Sequence, residues 1–198
     1  MSLLGQLRTL AGRGLRGGAI LFGFLSVLVV PANPRTARAE PRAAAADEVK
    51  AAFLYNFGKF VVWPGSSPLV EGIFVIGVLG DASMAEVLDR TVRDKQVQER
   101  RIAVRRLRSA KEASGCQILF IGAAERDHLG DILGALDRRS VLTVSDIDEF
   151  VDKGGMISLL LDQNKVRFEI NLGVVDRAGL KMSSQLLKLA RRVIGLPG

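Results

Sequence analysis

Between Asp47 and Trp63 the apolar residues recur every three or four positions, with Ala51, Leu54 and Tyr55 on one line and Phe53, Phe57 and Phe60 on another. That period predicts a helix capped by Asp47 and stopped by Trp63-Pro64-Gly65. Ile73 to Leu79 is an unbroken apolar run of strand length, which predicts a strand covered on both faces. Ser83-Met-Ala-Glu86 reads as a capping box opening a helix to about Thr91. Strands are predicted at Arg101 to Leu107, Gln117 to Ile121 and Val141 to Val144, with a helix at Asp127 to Leu136 and a helical turn after Ser145-Asp146. Regular alternation of strand and helix argues for a mostly parallel sheet with helices outside it.

The pattern changes after Gly155. Met156 to Leu161 and Val166 to Ile170 flank Asp162-Gln-Asn-Lys165, a hairpin loop, so the sheet is expected to end in an antiparallel pair. A last helix is predicted from Ser183, with Leu186, Leu189, Ala190 and Val193 on one face. Lys188, Arg191 and Arg192 would then favour its dipole. The fold class is α/β: a single domain, a mostly parallel sheet flanked by helices, and a C-terminal antiparallel hairpin.

The 198 residues carry a net charge of +7. Five of the 28 basic residues and none of the 21 acidic ones lie in the first 39, leaving +2 for the remainder. A balanced domain has no overall basic field for nucleic acid. The first 39 residues instead have the order of a secretory signal: arginines, the apolar run Gly18 to Val30, Pro31, and the small-x-small site Ala37-Arg38-Ala39. Cleavage is expected after Ala39, with residues 40–46 a spacer and 47–198 the domain. An uncleaved N-terminal anchor is the other reading, and either one exports the domain; after cleavage it would not itself span the membrane. Cys116 is the one cysteine, so no bridge forms within the chain. It reads as a small buried hydrophobe, with a bridge between two copies as the alternative.

Candidate chemistry is sparse. His128 is the single histidine, and without cysteine or a clustered carboxylate it heads neither a familiar zinc site nor a serine triad. Asp146, Asp148 and Glu149 match no calcium loop and read as a solvated acidic turn. Gly77-Val-Leu-Gly-Asp81 places glycines where a strand meets a helix, but without the full dinucleotide spacing it reads as a tight turn. Lys181, Ser183 and Ser184 bring a cation and two hydroxyls to the start of the last predicted helix, a candidate carboxylate or phosphate site with ordinary capping as the alternative. No nucleophile stands with its base, so no enzyme, catalytic residue, metal or cofactor is expected.

The ordered set "KAAFLYNFGKFVVWP", "FVIGVLGD", "CQILFIG", "VLTVSD", "GGMI", "KVRFEINL" and "AGLKMSSQLLKLARR", behind an export signal, resembles the YfiR/HmsC-like family of bacterial periplasmic proteins. The resemblance runs from about Val49 to Arg192. It implies an α/β sandwich able to form a homodimer, and a non-enzymatic regulator that binds and represses the sensor portion of an inner-membrane diguanylate cyclase, or another membrane signalling protein. Such repression lowers cyclic di-GMP and biofilm formation. The family's founding member carries a stabilising disulfide, which the lone Cys116 rules out within this chain. Phe53, Tyr55, Phe57, Phe60 and Trp63 are expected to wall the core, with part of that surface joining a dimer or partner and complete burial as the competitor. A periplasmic small-ligand-binding protein using Lys181 to Ser184 is the alternative function.

Overall fold

The computed structural model describes residues 40–64 and 72–195; the expected signal peptide, residues 1–39, lies outside them. In chain order the elements are α1 (Glu40–Phe60), β1 (Val61–Val62), β2 (Ile73–Leu79), α2 (Ala82–Val92), β3 (Gln96–Val97), β4 (Arg100–Leu107) and β5 (Ile118–Ile121). Then follow α3 (Leu129–Ala135), β6 (Leu142–Ser145), β7 (Ile157–Asp162), β8 (Lys165–Asn171), α4 (Leu172–Arg177), β9 (Lys181–Met182), α5 (Ser184–Leu189) and β10 (Arg192–Ile194). Short 3-10 helices cover Ala110–Ala113 and Ala123–His128.

Eight strands form one sheet in the order β10-β8-β7-β6-β5-β2-β4-β3. The five strands from β4 to β7 run parallel, β7 and β8 make the expected antiparallel hairpin, and β10 returns parallel to β8. The hairpin closes through Gln163 and Asn164 alone, both at positive φ (46° and 62°), as a two-residue I′ turn requires. Leu54, Phe57, Met84 and Leu88 from α1 and α2 pack on Phe74, Ile76 and Val78 of β2. On the opposite face Val75, Leu79, Leu119 and Ile121 meet Leu129, Ile132 and Phe150. The apolar run of β2 is therefore enclosed from both sides, and the expected α/β class is the observed one.

Four boundaries differ from expectation. The segment 40–46, expected as a spacer, forms the first turns of α1, in keeping with the high helix propensity of its alanines. That helix ends at Phe60, before Trp63: Val61 and Val62 are β-branched and pair antiparallel with Met182 and Lys181, and the Ser183 amide donates to the Phe60 carbonyl at 2.9 Å. Asp81, not Ser83, caps α2, its Oδ1 accepting from the Met84 amide at 2.9 Å and the Ser83 hydroxyl at 2.8 Å. The last helix stops at Leu189, because Ala190 is extended and Arg192 to Ile194 add a strand to β8.

Candidate functional site

The aromatic residues from Phe53 to Trp63 divide between core and surface. Phe57 is completely enclosed and stacks on Phe53 (5.9 Å between centroids), and both meet the Phe168 ring edge-on at 5.4 and 5.5 Å. Trp63 packs edge-on against Phe74 at 5.2 Å, and its Nε1 donates to the Gln117 carbonyl at 3.1 Å. Tyr55 is half-buried, with the ammonium of Lys95 4.9 Å and that of Lys59 5.4 Å from its ring centre. Phe57 has no surface to offer a partner; it holds Phe53 in place from beneath.

Phe53 opens onto an apolar groove of about 390 Å³ between α1 and the β7–β8 hairpin, lined with it by Ala45, Ala46, Val49, Leu161 and Val166. Val49 is 44% and Leu161 63% exposed, the largest apolar surfaces on either wall. Phe53 is one of the five aromatic residues expected at the core wall or a partner surface; the groove's far wall comes from the hairpin. Leu161 lies in the predicted strand, and its position two residues before the turn, near the tip of the hairpin, leaves it outside.

Leu161 also borders a charged cleft of about 460 Å³ beyond the carboxyl end of β6, a usual place for a site in a parallel sheet. Lys50 Nζ reaches from α1 to Asp146 at 2.7 Å and also pairs with Asp47, three residues earlier on the same helix, at 3.1 Å. Burial pushes the Lys50 ammonium down, but the hydrogen bonds and charges of Asp146 and Asp47 outweigh it and hold it above its ordinary value. Asp146 Oδ1 is buried with no hydrogen-bond partner among the described residues. At the other wall Glu169, 4% exposed, accepts from Arg191 at Oε1 and from Arg192 at Oε2 (2.7 and 3.1 Å). Burial raises the Glu169 carboxyl, and the two guanidiniums together bring it below the usual carboxylate value. Arg192 continues to Asp152 in a bidentate pair at 2.6 and 2.9 Å, and this bonding also lowers the Asp152 carboxyl.

The sequence alone does not single out Glu169, and it offers Arg191 and Arg192 as dipole cations, whereas both pair with that carboxylate. The available signal was the alternation Lys165, Arg167, Glu169, which puts the carboxylate on the face opposite Phe168 and Ile170. Its partners stand 22 and 23 residues further on, a pairing that only the β8–β10 contact creates.

The remaining candidates are apart from this region. Ser183 Oγ caps α5 by accepting from the Leu186 amide at 3.2 Å, Lys181 is exposed on β9, and Ser184 is exposed in a helix of six residues. Gly80 has φ +74°, and a Cβ there would lie 2.5 Å from the Glu125 side chain. Glu125 and the cap Asp81 both bring acid to that turn, which disfavours phosphate. His128 is exposed, and Cys116 is 2% exposed, with burial raising its thiol above the ordinary value and Arg105 opposing. A thiol so enclosed has no path to a second copy, which removes the inter-copy bridge. Among the described residues no His/Cys/Asp/Glu group could hold a metal ion, and no helix is long and apolar enough to cross a membrane.

Strand order 2-1-3-4-5 through the parallel part of the sheet, with helices on both faces, defines a doubly wound α/β domain, and the apolar groove and charged cleft are its candidate sites. Residues 47–191 match the family model described as YfiR/HmsC-like, and the chain belongs to that family. The family is one of periplasmic regulators whose partners are membrane signalling proteins. Among solved structures, the chain is similar to the ABC domain in complex with L-Trp from Streptococcus pneumonia: 13% identity, 65% of this chain, 57% of that one, TM-score 0.48. It is similar also to a conserved domain protein from Vibrio cholerae: 10% identity, 64% of this chain, 57% of that one, TM-score 0.48. The chain thus spans a little over half the length of each.

Proposed function

We propose that this protein is a non-enzymatic periplasmic regulator that binds the sensor portion of an inner-membrane diguanylate cyclase and holds the cyclase inactive, lowering cyclic di-GMP and restraining biofilm formation. Residues 1–39 direct export and are removed after Ala39, and the mature domain works as a homodimer. The observation that carries the reading is the match to a family of periplasmic regulators over residues 47–191. The groove beside α1 supports it: an apolar centre at Val49, Phe53 and Leu161 with charged residues at one border has the anatomy of a protein interface. Crosslinking in intact cells with C-terminally tagged protein, followed by mass spectrometry, tests it. A cyclase in the captured material, together with raised cyclic di-GMP in a deletion strain, is expected. Efficient crosslinking that recovers the protein alone overturns it.

A second reading, a small-ligand-binding protein, is favoured by one feature, the unpaired buried Asp146 Oδ1 at the charged cleft. An ammonium or hydroxyl donor would satisfy that atom. The site near Lys181 and Ser184 remains its alternative location. A thermal-shift screen of amines against carboxylates and phosphates separates the two locations, and no shift with any class removes the reading.

A further inference from the structure

The large sheet has an open edge far from the groove. β3 pairs with β4 only at Arg100 and Arg101, through Val97 and Gln96. From Ile102 to Leu107 the outer side of β4 has no strand partner among the described residues, while its inner side is fully paired with β2. Such an edge presents a row of backbone donors and acceptors that another strand can satisfy. Residues 100–108 contain five arginines and no acid. Arg101 and Arg105 are exposed on one face of the strand, and among the described residues neither makes an ion pair. On the other face Arg106 pairs with Glu86 of α2 at 3.0 Å. There, a cleft of about 280 Å³ separates α2 from the strand, lined by Ala85, Glu86, Asp89, Arg90, Val104 and Arg106.

We propose that this edge receives an extended acidic segment of a partner protein as an added strand. Backbone pairing along Ile102 to Leu107 would supply the grip, Arg101 and Arg105 would select carboxylates on one face, and the cleft beside Val104 would accept a side chain on the other. This is strand addition, in which main-chain bonds give affinity and alternate side chains give specificity. A second copy fits less well than an acidic strand: β3 already covers Arg100 and Arg101, and pairing the open stretches of two copies would bring Arg105 and Arg106 of both onto one short ribbon with no acid in residues 100–108 to offset them. Arginines on an exposed edge also keep copies of a chain from aggregating. That protective role needs no side-chain cleft beside the strand.

The proposal rests on the regulatory reading only in taking the partner to be the membrane protein, and the experiment keeps the two apart. The full chain is produced in its own cells with a photo-crosslinking benzophenone amino acid in place of Arg105 or, separately, of Leu161, and the joined peptides are sequenced by mass spectrometry. From position 105 the expected product is a periplasmic stretch of a membrane protein rich in Asp or Glu. R101E lowers its yield about tenfold, the effect of reversing one close charge contact, whereas R101K retains it. Capture of a membrane partner from position 161 alone overturns the edge proposal and leaves the regulatory reading standing. Joining of position 105 only to a second copy, or to a segment indifferent to R101E, also overturns it. An acidic segment of a soluble protein at 105, sensitive to R101E, sustains the edge and counts against the membrane partner. No membrane protein at either position, and no acidic segment at 105, ends both.

Discussion

Glu169→Gln tests the pairing that holds the C-terminal strand to the sheet. In the native protein four N–H donors from Arg191 and Arg192 converge on the two oxygens of a nearly buried carboxylate. A hydrogen bond to a charged group contributes about 1.5–3 kcal/mol, but the contributions are not additive here. Both guanidiniums are about half exposed, so water replaces part of what they lose, and the glutamine retains one oxygen acceptor. The net loss should be about 2 kcal/mol at neutral pH, or about 4–8 °C in Tm for a chain of this size. Urea unfolding of the protein, followed by circular dichroism across a pH series, measures it. The Glu169 carboxyl is lowered in the folded state from its ordinary value of 4.5, so its stabilisation is present in full above that value and is lost as pH falls through the depressed one. Glutamine does not titrate, so the gap between the two proteins should close in acid. A gap of the same size at pH 7 and at about pH 2, or no gap at pH 7, refutes the reasoning.

Phe57→Ala removes a fully enclosed ring touching Phe53 and Phe168, and should lower the unfolding free energy by about 3–5 kcal/mol, against about 1 kcal/mol or less for Leu161→Ala on the surface. Cys116 should resist a thiol reagent in the native protein and react at once in denaturant; fast native labelling would contradict both its enclosure and its raised pKa. Leu161→Asp should abolish capture of the regulated partner while leaving Tm nearly unchanged, since the side chain is largely in solvent; a captured partner at wild-type yield would move the interface elsewhere.

The elements legible from sequence are those whose own residues carry the signal. β2 announced itself because burial on both faces demands an unbroken apolar run, and the β7–β8 hairpin because two strand patterns flank a turn. β1, β3, β9 and β10 hold two or three residues each, too few for a period, and exist because a partner strand lies alongside. The final helix is shorter than its spacing predicts for the same reason. Leu186, Leu189 and Val193 have helical spacing, yet Leu189 is mostly exposed and Val193 belongs to β10 beside Ile170. The aromatic cluster from Phe53 to Trp63 is legible as a wall of the core: Phe57 lies inside it, and Phe53, Tyr55, Phe60 and Trp63 pack against it, partly buried. The charged cleft was not visible, because Lys50 and Asp146 are 96 residues apart and meet only through the packing of α1 over the sheet.

The two surfaces occupy different ends of one sheet. Four strand-to-strand steps separate β7, which carries Leu161, from β4, which carries Arg101 and Arg105. At about 4.8 Å a step the two strands lie about 19 Å apart across the sheet, and the register sets Leu161 further along the strand direction than Arg105 as well, beyond the reach of direct side-chain coupling. A change at one should therefore leave the intrinsic strength of the other untouched. If one partner engages both, the second contact forms at the high effective concentration set by the first, and either substitution weakens the whole complex far more than its own contact accounts for. If two partners divide the surfaces, each substitution releases one and spares the other. The rigid parallel strands between the surfaces fix their spacing, so a partner that uses both must present its apolar contact and its acidic strand at that same separation.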